Sequence, residues 1–162
     1  MCRVGLGMNE DLTMKTPFRL LLCGLPLALV VVCGAASAAD DVGQIKVAKG
    51  QVAVDRDGQS LPAQVGMSLA TADVLRTGAD GSVGITMRDN SLLSAGPNSV
   101  LSLDRFEFDP TTHQGRFESR LERGTLAVVS GRLARQSPQA MTVRTPSAVM
   151  GVRGTDFVVS VP

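Results

Sequence analysis

From residue 41 onward, apolar and polar positions recur with period two, the spacing of half-buried β-strands rather than helices. The clearest run is 82–88, where Val83, Ile85 and Met87 share one face and Ser82, Gly84, Thr86 and Arg88 the other. Residues 44–47 and 50–55 alternate around Ala48-Lys49-Gly50, and Asp57-Gly58 supplies a tight-turn pair ahead of residues 59–63, the pattern of a hairpin. Turn signals recur at Gly78-Ala79-Asp80-Gly81, Arg88-Asp89-Asn90, Gly96-Pro97-Asn98 and Asp109-Pro110. Between them, 92–95 and 100–108 read as strands, with Leu101, Leu103 and Phe106 or Phe108 facing a core.

Residues 116–123 fit a short helix through Phe117 and Leu121, but they alternate as well, with Phe117, Ser119 and Leu121 inward and charges outward. Gly124 and the run 125–130 behind it favour a strand. Residues 136–139, with Pro138, form the expected exposed loop. Two phrases, Gly50-Gln51-Val52-Ala53-Val54 and Gly124-Thr125-Leu126-Ala127-Val128, hint at two similar units. About ten short strands and no long helix predict an all-β domain, either a compact β-sandwich or a short β-solenoid.

The first 40 residues break this pattern. Lys15 and Arg19 precede an apolar run over 20–32, and small residues follow it, the three parts of a secretory signal with cleavage after Ala38. The run is shorter than the roughly 20 residues that span a bilayer. Glu10 and Asp11 are unusual ahead of a signal, which favours Met14 as the start. The expected division is therefore 1–38, an extension and signal peptide, and 39–162, the all-β domain. An uncleaved anchor is the alternative, against which Gly24 and Pro26 interrupt the run; lipidation at Cys33 would call for a smaller residue than Val32 before it. Cys2, Cys23 and Cys33 all lie in this segment, so the exported domain is expected to carry no disulfide, thiol nucleophile or thiolate metal site.

Charge sharpens the picture beyond the signal. From Asp40 on, thirteen basic and thirteen acidic residues balance, but residues 113–162 hold seven of the basic and three of the acidic ones. All seven are arginine: Arg116, Arg120, Arg123, Arg132, Arg135, Arg144 and Arg153. Arginine suits carboxylate and phosphate partners, so Arg116, Arg120, Arg132 and Arg135 form a candidate basic surface. Solvated strand faces paired with acidic neighbours are the plainer account.

Catalytic chemistry is sparse. His113, the single histidine, sits in a polar turn with no Gly-x-Ser-x-Gly motif to complement it. Asp55-x-Asp57-Gly58 resembles the start of a calcium loop but lacks the later ligands and closing Glu. The glycines of 78–84 lead into no Gly-Lys-Ser. Without Trp or Tyr, and with four Phe after the signal, there is no stacking platform for nucleic acid or for sugar. Glu118 and Glu122 lie on an outward strand face among arginines, where ion pairing is expected over glycoside chemistry. No catalytic residue, metal or cofactor is expected, and the protein is read as non-enzymatic.

Several phrases in order carry a resemblance: Val65-Gly66-Met67-Ser68-Leu69, Asp73-Val74-Leu75-Arg76-Thr77-Gly78, residues 82–91, Gly96-Pro97-Asn98-Ser99, Glu122-Arg123-Gly124-Thr125-Leu126, Thr145-Pro146-Ser147-Ala148 and Val152-Arg153-Gly154-Thr155-Asp156-Phe157. Together they resemble the FecR domain family of bacterial envelope proteins, over about 43–161. The resemblance implies a periplasmic or secreted module that binds another envelope protein; the residues themselves lead to an expectation of no nucleic acid, and of membrane contact only through an uncleaved or lipidated N-terminus. Relatives similar to the ferric citrate regulator carry a cytoplasmic anti-sigma region and a membrane span, and relay a transporter's state to a sigma factor. Only Met1 to Thr13 precedes the apolar segment here, so a stand-alone exported form is expected, with transporter-linked signalling or iron-uptake regulation as the alternative.

The last phrases interrupt an apolar run twice. Pro146 fixes φ and lacks a donor, so it should end a strand or sit on an edge. Gly154 permits a sharp turn before alternation resumes, and Arg153 is expected to hold that corner through a carboxylate or carbonyls. Thr145, Pro146, Arg153, Gly154 and Thr155 are thus candidates for a structural corner or a partner contact.

Overall fold

The computed structural model describes residues 41–137, 139–154 and 156–162. The expectations on the N-terminal segment, its three cysteines, Pro138 and Thr155 lie outside the described residues. Among those described, no helix is long and apolar enough to cross a membrane.

The protein is all-β. Twelve strands form one curled sheet whose central path runs β3 (Gln59–Pro62), β2 (Val52–Arg56), β5 (Val74–Thr77), β8 (Val100–Phe108), β9 (Gly115–Val129), β7 (Leu92–Ala95), β6 (Ser82–Met87), β1 (Asp41–Lys49), β4 (Ser68–Ala70). β10 (Met141–Arg144), β11 (Val149–Val152) and β12 (Phe157–Val161) branch from it, and α1 (Arg132–Gln136) is a single helical turn. The curled sheet forms a half-barrel around one hydrophobic core.

β9 joins the two sides of the curl. Its first part pairs antiparallel with β8, Leu101 opposite Leu121 and Phe106 opposite Phe117, and parallel with β10, Met141 opposite Phe117. Its last part pairs antiparallel with β7, Leu93 opposite Val128, and with β12, Val159 opposite Leu126. The register slips between Val100 and Leu101, leaving Glu122 as an extra residue on β9. Gly124 then takes φ +89°, and a Cβ there would overlap Ser99. Bulge and glycine together turn the strand from one side to the other.

Alternation becomes burial as the sequence predicts. Val83, Ile85 and Met87 on β6, and Phe117, Ser119 and Leu121 on β9, point into the core. They meet Leu75, Leu101, Leu103, Leu93, Leu126, Ile45 and Leu69 in one cluster, closed by Leu133 and Ala134 of α1. Each fully buried Leu contributes about 1.5–3 kcal/mol. Phe106 meets Phe117 edge-on at 5.7 Å, while Phe108 and Phe157 pack against the same cluster, so the phenylalanines are core rather than platforms. The expected hairpin closes at Asp57-Gly58, both with positive φ, between β2 and β3. β1 and β2 do not pair with each other; Gly50, at φ +63°, sends the chain from one side of the curl to the other.

Candidate functional site

Most of the recurring phrases become corners. Thr77 Oγ1 donates to the Gly96 carbonyl at 2.6 Å and accepts from the Ser99 N–H at 2.8 Å, while Ser99 Oγ accepts from the Thr125 N–H at 3.0 Å. Thr77-Gly78, Gly96-Pro97-Asn98-Ser99 and Gly124-Thr125 therefore meet at one knot, where the Asn98 N–H also donates to the Gly78 carbonyl at 2.9 Å. A second knot forms around Asp89, fully buried. Its carboxylate accepts from the Ser91 N–H at 3.0 Å and hydroxyl at 2.7 Å, its carbonyl accepts from the Arg132 N–H at 2.8 Å, and Ser91 Oγ accepts from the Gly131 N–H at 2.9 Å. The Asp73 carboxylate is buried as well. It takes two guanidinium hydrogen bonds from Arg56, at 2.8 and 2.6 Å, and one from the Ala70 N–H at 2.8 Å; the first of these attachments raises the Arg56 pKa. These polar side chains are spent on folding.

Thr145 and Pro146 occupy the turn between β10 and β11. Thr145 Oγ1 accepts from the Ala148 N–H at 3.0 Å, and the Thr145 N–H donates to the Ala148 carbonyl at 2.8 Å, so Pro146 ends a strand. Gly154, at φ +60°, turns the chain between β11 and β12. Arg153 makes no ion pair or hydrogen bond with the other described residues; it lines a groove of about 720 Å³ with Arg116, Gln136, Ser137, Gln139, Gly115 and Ala140. Arg135 stands at the same corner, its Cα and Cγ both 3.8 Å from where a Gly154 Cβ would lie.

The other candidate arginines separate. Arg120 pairs with Asp104 at 3.4 Å and lines a different hollow, with Glu122, Arg144 and Pro146. Arg116 pairs with Glu118 at 2.6 Å, and Arg144 reaches the same carboxylate at 3.4 Å. Arg132 and Arg135 are exposed on α1 with no acidic partner among the described residues. Glu118 thus serves ion pairing, as its place among arginines predicts. His113 stacks on Phe108 with ring centroids 6.1 Å apart. Among the described residues no three His, Cys, Asp or Glu side chains group closely enough to hold a metal ion. Asp55, the first acid of the calcium-like phrase, is held below the usual carboxylate range by the Ser60 hydroxyl and by Arg76, 2.6 Å away across the ladder.

The outer surfaces of the two sides of the curl differ. On the β8 side, charges pair off: Arg76 with Asp55, Arg120 with Asp104, Arg105 with Glu107, and Arg116 and Arg144 with Glu118. On the β7 side, opposed residues run Val47, Gly84, Ser94, Ala127, Val158 across five strands, and beside them Thr86, Leu92, Val129. Neither row holds a charge, and Val158, 69% exposed, ends the first on β12. Sequence reading missed this surface because an outward row is assembled from strands far apart in the chain. It also missed Gln136, Ser137 and Gln139 as groove residues, for which a polar loop is the only local signal.

A search of curated proteins and of solved structures returned no match. A family model described as FecR protein matches residues 73–161, more than half the chain, and the span begins at the buried Asp73 and takes in both knots and the Arg153-Gly154 corner. The chain therefore belongs to the FecR protein family.

Proposed function

We propose that the protein is a non-enzymatic exported module of the periplasm or cell surface that binds another envelope protein by accepting one of its extended segments alongside β12. The carrying observation is that, among the described residues, β12 pairs with β9 alone, and it has no charged residue over Phe157–Val161. Open edges ordinarily carry a Lys, a Pro or a bulge against unwanted pairing, or are very short. β3 carries Pro62 and β4 is three residues long, whereas β12 is left unguarded beside the uncharged rows of the β7 side. An added strand would satisfy its free backbone groups and cover Val158.

Membership in FecR, a family of signalling and regulatory domains, favours a second reading in which the partner is a transporter and the contact reports its state, as in iron-uptake regulation. The same experiment distinguishes the two through the partner's identity. A photo-crosslinking residue at Ser160, with one at Asp57 as control, is expected to give a discrete envelope-protein adduct in intact cells from Ser160 alone. Val158→Lys should abolish that adduct while shifting the urea midpoint by no more than the equivalent of about 0.5 kcal/mol, since the residue is exposed. Equal labelling from both positions, or an adduct indifferent to Val158→Lys, refutes strand addition at β12.

A further inference from the structure

We propose that the groove between the start of β9, the end of α1 and the Arg153-Gly154 corner is a binding site for a phosphorylated sugar, independent of the β12 edge. The lining supplies two guanidinium groups, from Arg116 and Arg153, two carboxamides, from Gln136 and Gln139, and the Ser137 hydroxyl, with no acidic side chain among them. Arg153 has no ionic partner among the described residues, and neither has Arg135 beside it. Arg116 is only partly compensated, because Arg144 shares its one carboxylate, Glu118. Arg116, Arg135 and Arg153 therefore gather at this corner, and Glu118 is the one carboxylate paired with any of them among the described residues.

Planar guanidinium forks match phosphate oxygens, and carboxamides and a hydroxyl match sugar hydroxyls. The opening is far larger than a bare ion needs and falls in the range of small-ligand sites. Two carbonyls beside the groove are engaged within the chain: Leu133 O accepts from the Ser137 N–H at 2.9 Å and Ser137 O from the Ala140 N–H at 2.9 Å. Because the groove opens to solvent, the sugar phosphate could be free or carried as a glycolipid headgroup, and the chemistry of recognition is the same.

The test is a titration of the purified, isotopically labelled protein followed through arginine Nε–H and glutamine side-chain amide resonances. Glucose 1-phosphate is expected to shift Arg116, Arg153, Gln136 and Gln139 saturably, with glucose having no such effect. Arg153→Ala should weaken binding at least tenfold with the backbone spectrum otherwise retained, and Arg123→Ala, an exposed arginine that does not line the groove, should leave it unchanged. Neutral vesicles doped with a phosphorylated glycolipid, sedimented with the protein, separate the two sources: binding to both probes assigns a headgroup, binding to the soluble sugar alone a free ligand. Absence of saturable shifts, equal response to glucose, or equal weakening by Arg123→Ala overturns the proposal.

Discussion

A buried charge is tolerated only where its partners are fixed, and Asp73 is such a case. At 1% exposure its carboxylate depends on Arg56, whose own side chain is 29% exposed, and on the Ala70 N–H. Removing the guanidinium leaves the charge inside with one donor, and breaking pairs of this kind costs on the order of 3 kcal/mol. Arg56→Met should therefore lower the unfolding free energy measured in urea by that amount, through a lower midpoint at an unchanged slope. Ser119 is the reverse case. Its hydroxyl is buried among Phe117, Leu121 and their neighbours with no hydrogen-bond partner among the described residues. A buried, unmade hydrogen bond costs about 1–3 kcal/mol, so Ser119→Ala is expected to be neutral or to raise the unfolding temperature. Nothing in the alternation of 116–123 reveals this, because a serine at an inward position reads only as inward.

At the scale of elements, strands with a clean two-residue period and turns with their own chemistry were legible. The run 82–88 became β6, Asp57-Gly58 closed β2 onto β3, and Asn90 and Asn98 took positive φ in their turns. Long-range pairing was not legible. That residues on both sides of Gly124 form one strand of 15 residues, shared between two sides of a curled sheet, depends on which strands lie beside each part. The parallel alignment of β10 with β9 and the single turn of α1, in a segment where the sequence suggests a loop further on, are likewise set by tertiary packing over local preference. The corner itself tests whether this reading of β9 is right. Ser99 Oγ is the acceptor for the Thr125 N–H directly after Gly124. Ser99→Ala removes it from a partly buried donor, and a loss of about 1–3 kcal/mol is expected by chemical denaturation. Hydrogen exchange should quicken first at Thr125 and its neighbours; unchanged protection there would show that the knot does not hold β9 at its turn.

The whole molecule follows from that shared strand. Leu121 faces the core from the β8 side and Leu126 from the β7 side, and both belong to one cluster with Leu93, Leu101 and Leu133. Neither side has a core of its own to retreat to, so the two are expected to unfold together despite their different outer surfaces. Leu121→Ala tests this, since it should cost about 2–5 kcal/mol through lost transfer energy and the cavity left behind. If the sides are coupled, amide exchange in β6 and β7 will accelerate by the same factor as in β5 and β8, and denaturation will remain a single transition. A variant in which β5 and β8 exchange freely while β6 and β7 keep their protection would divide the domain at Gly124. In the coupled case a ligand seated against Arg116 at the start of β9 would stabilise β12 at its far end by the same free energy, because it binds the one folded state on which both depend.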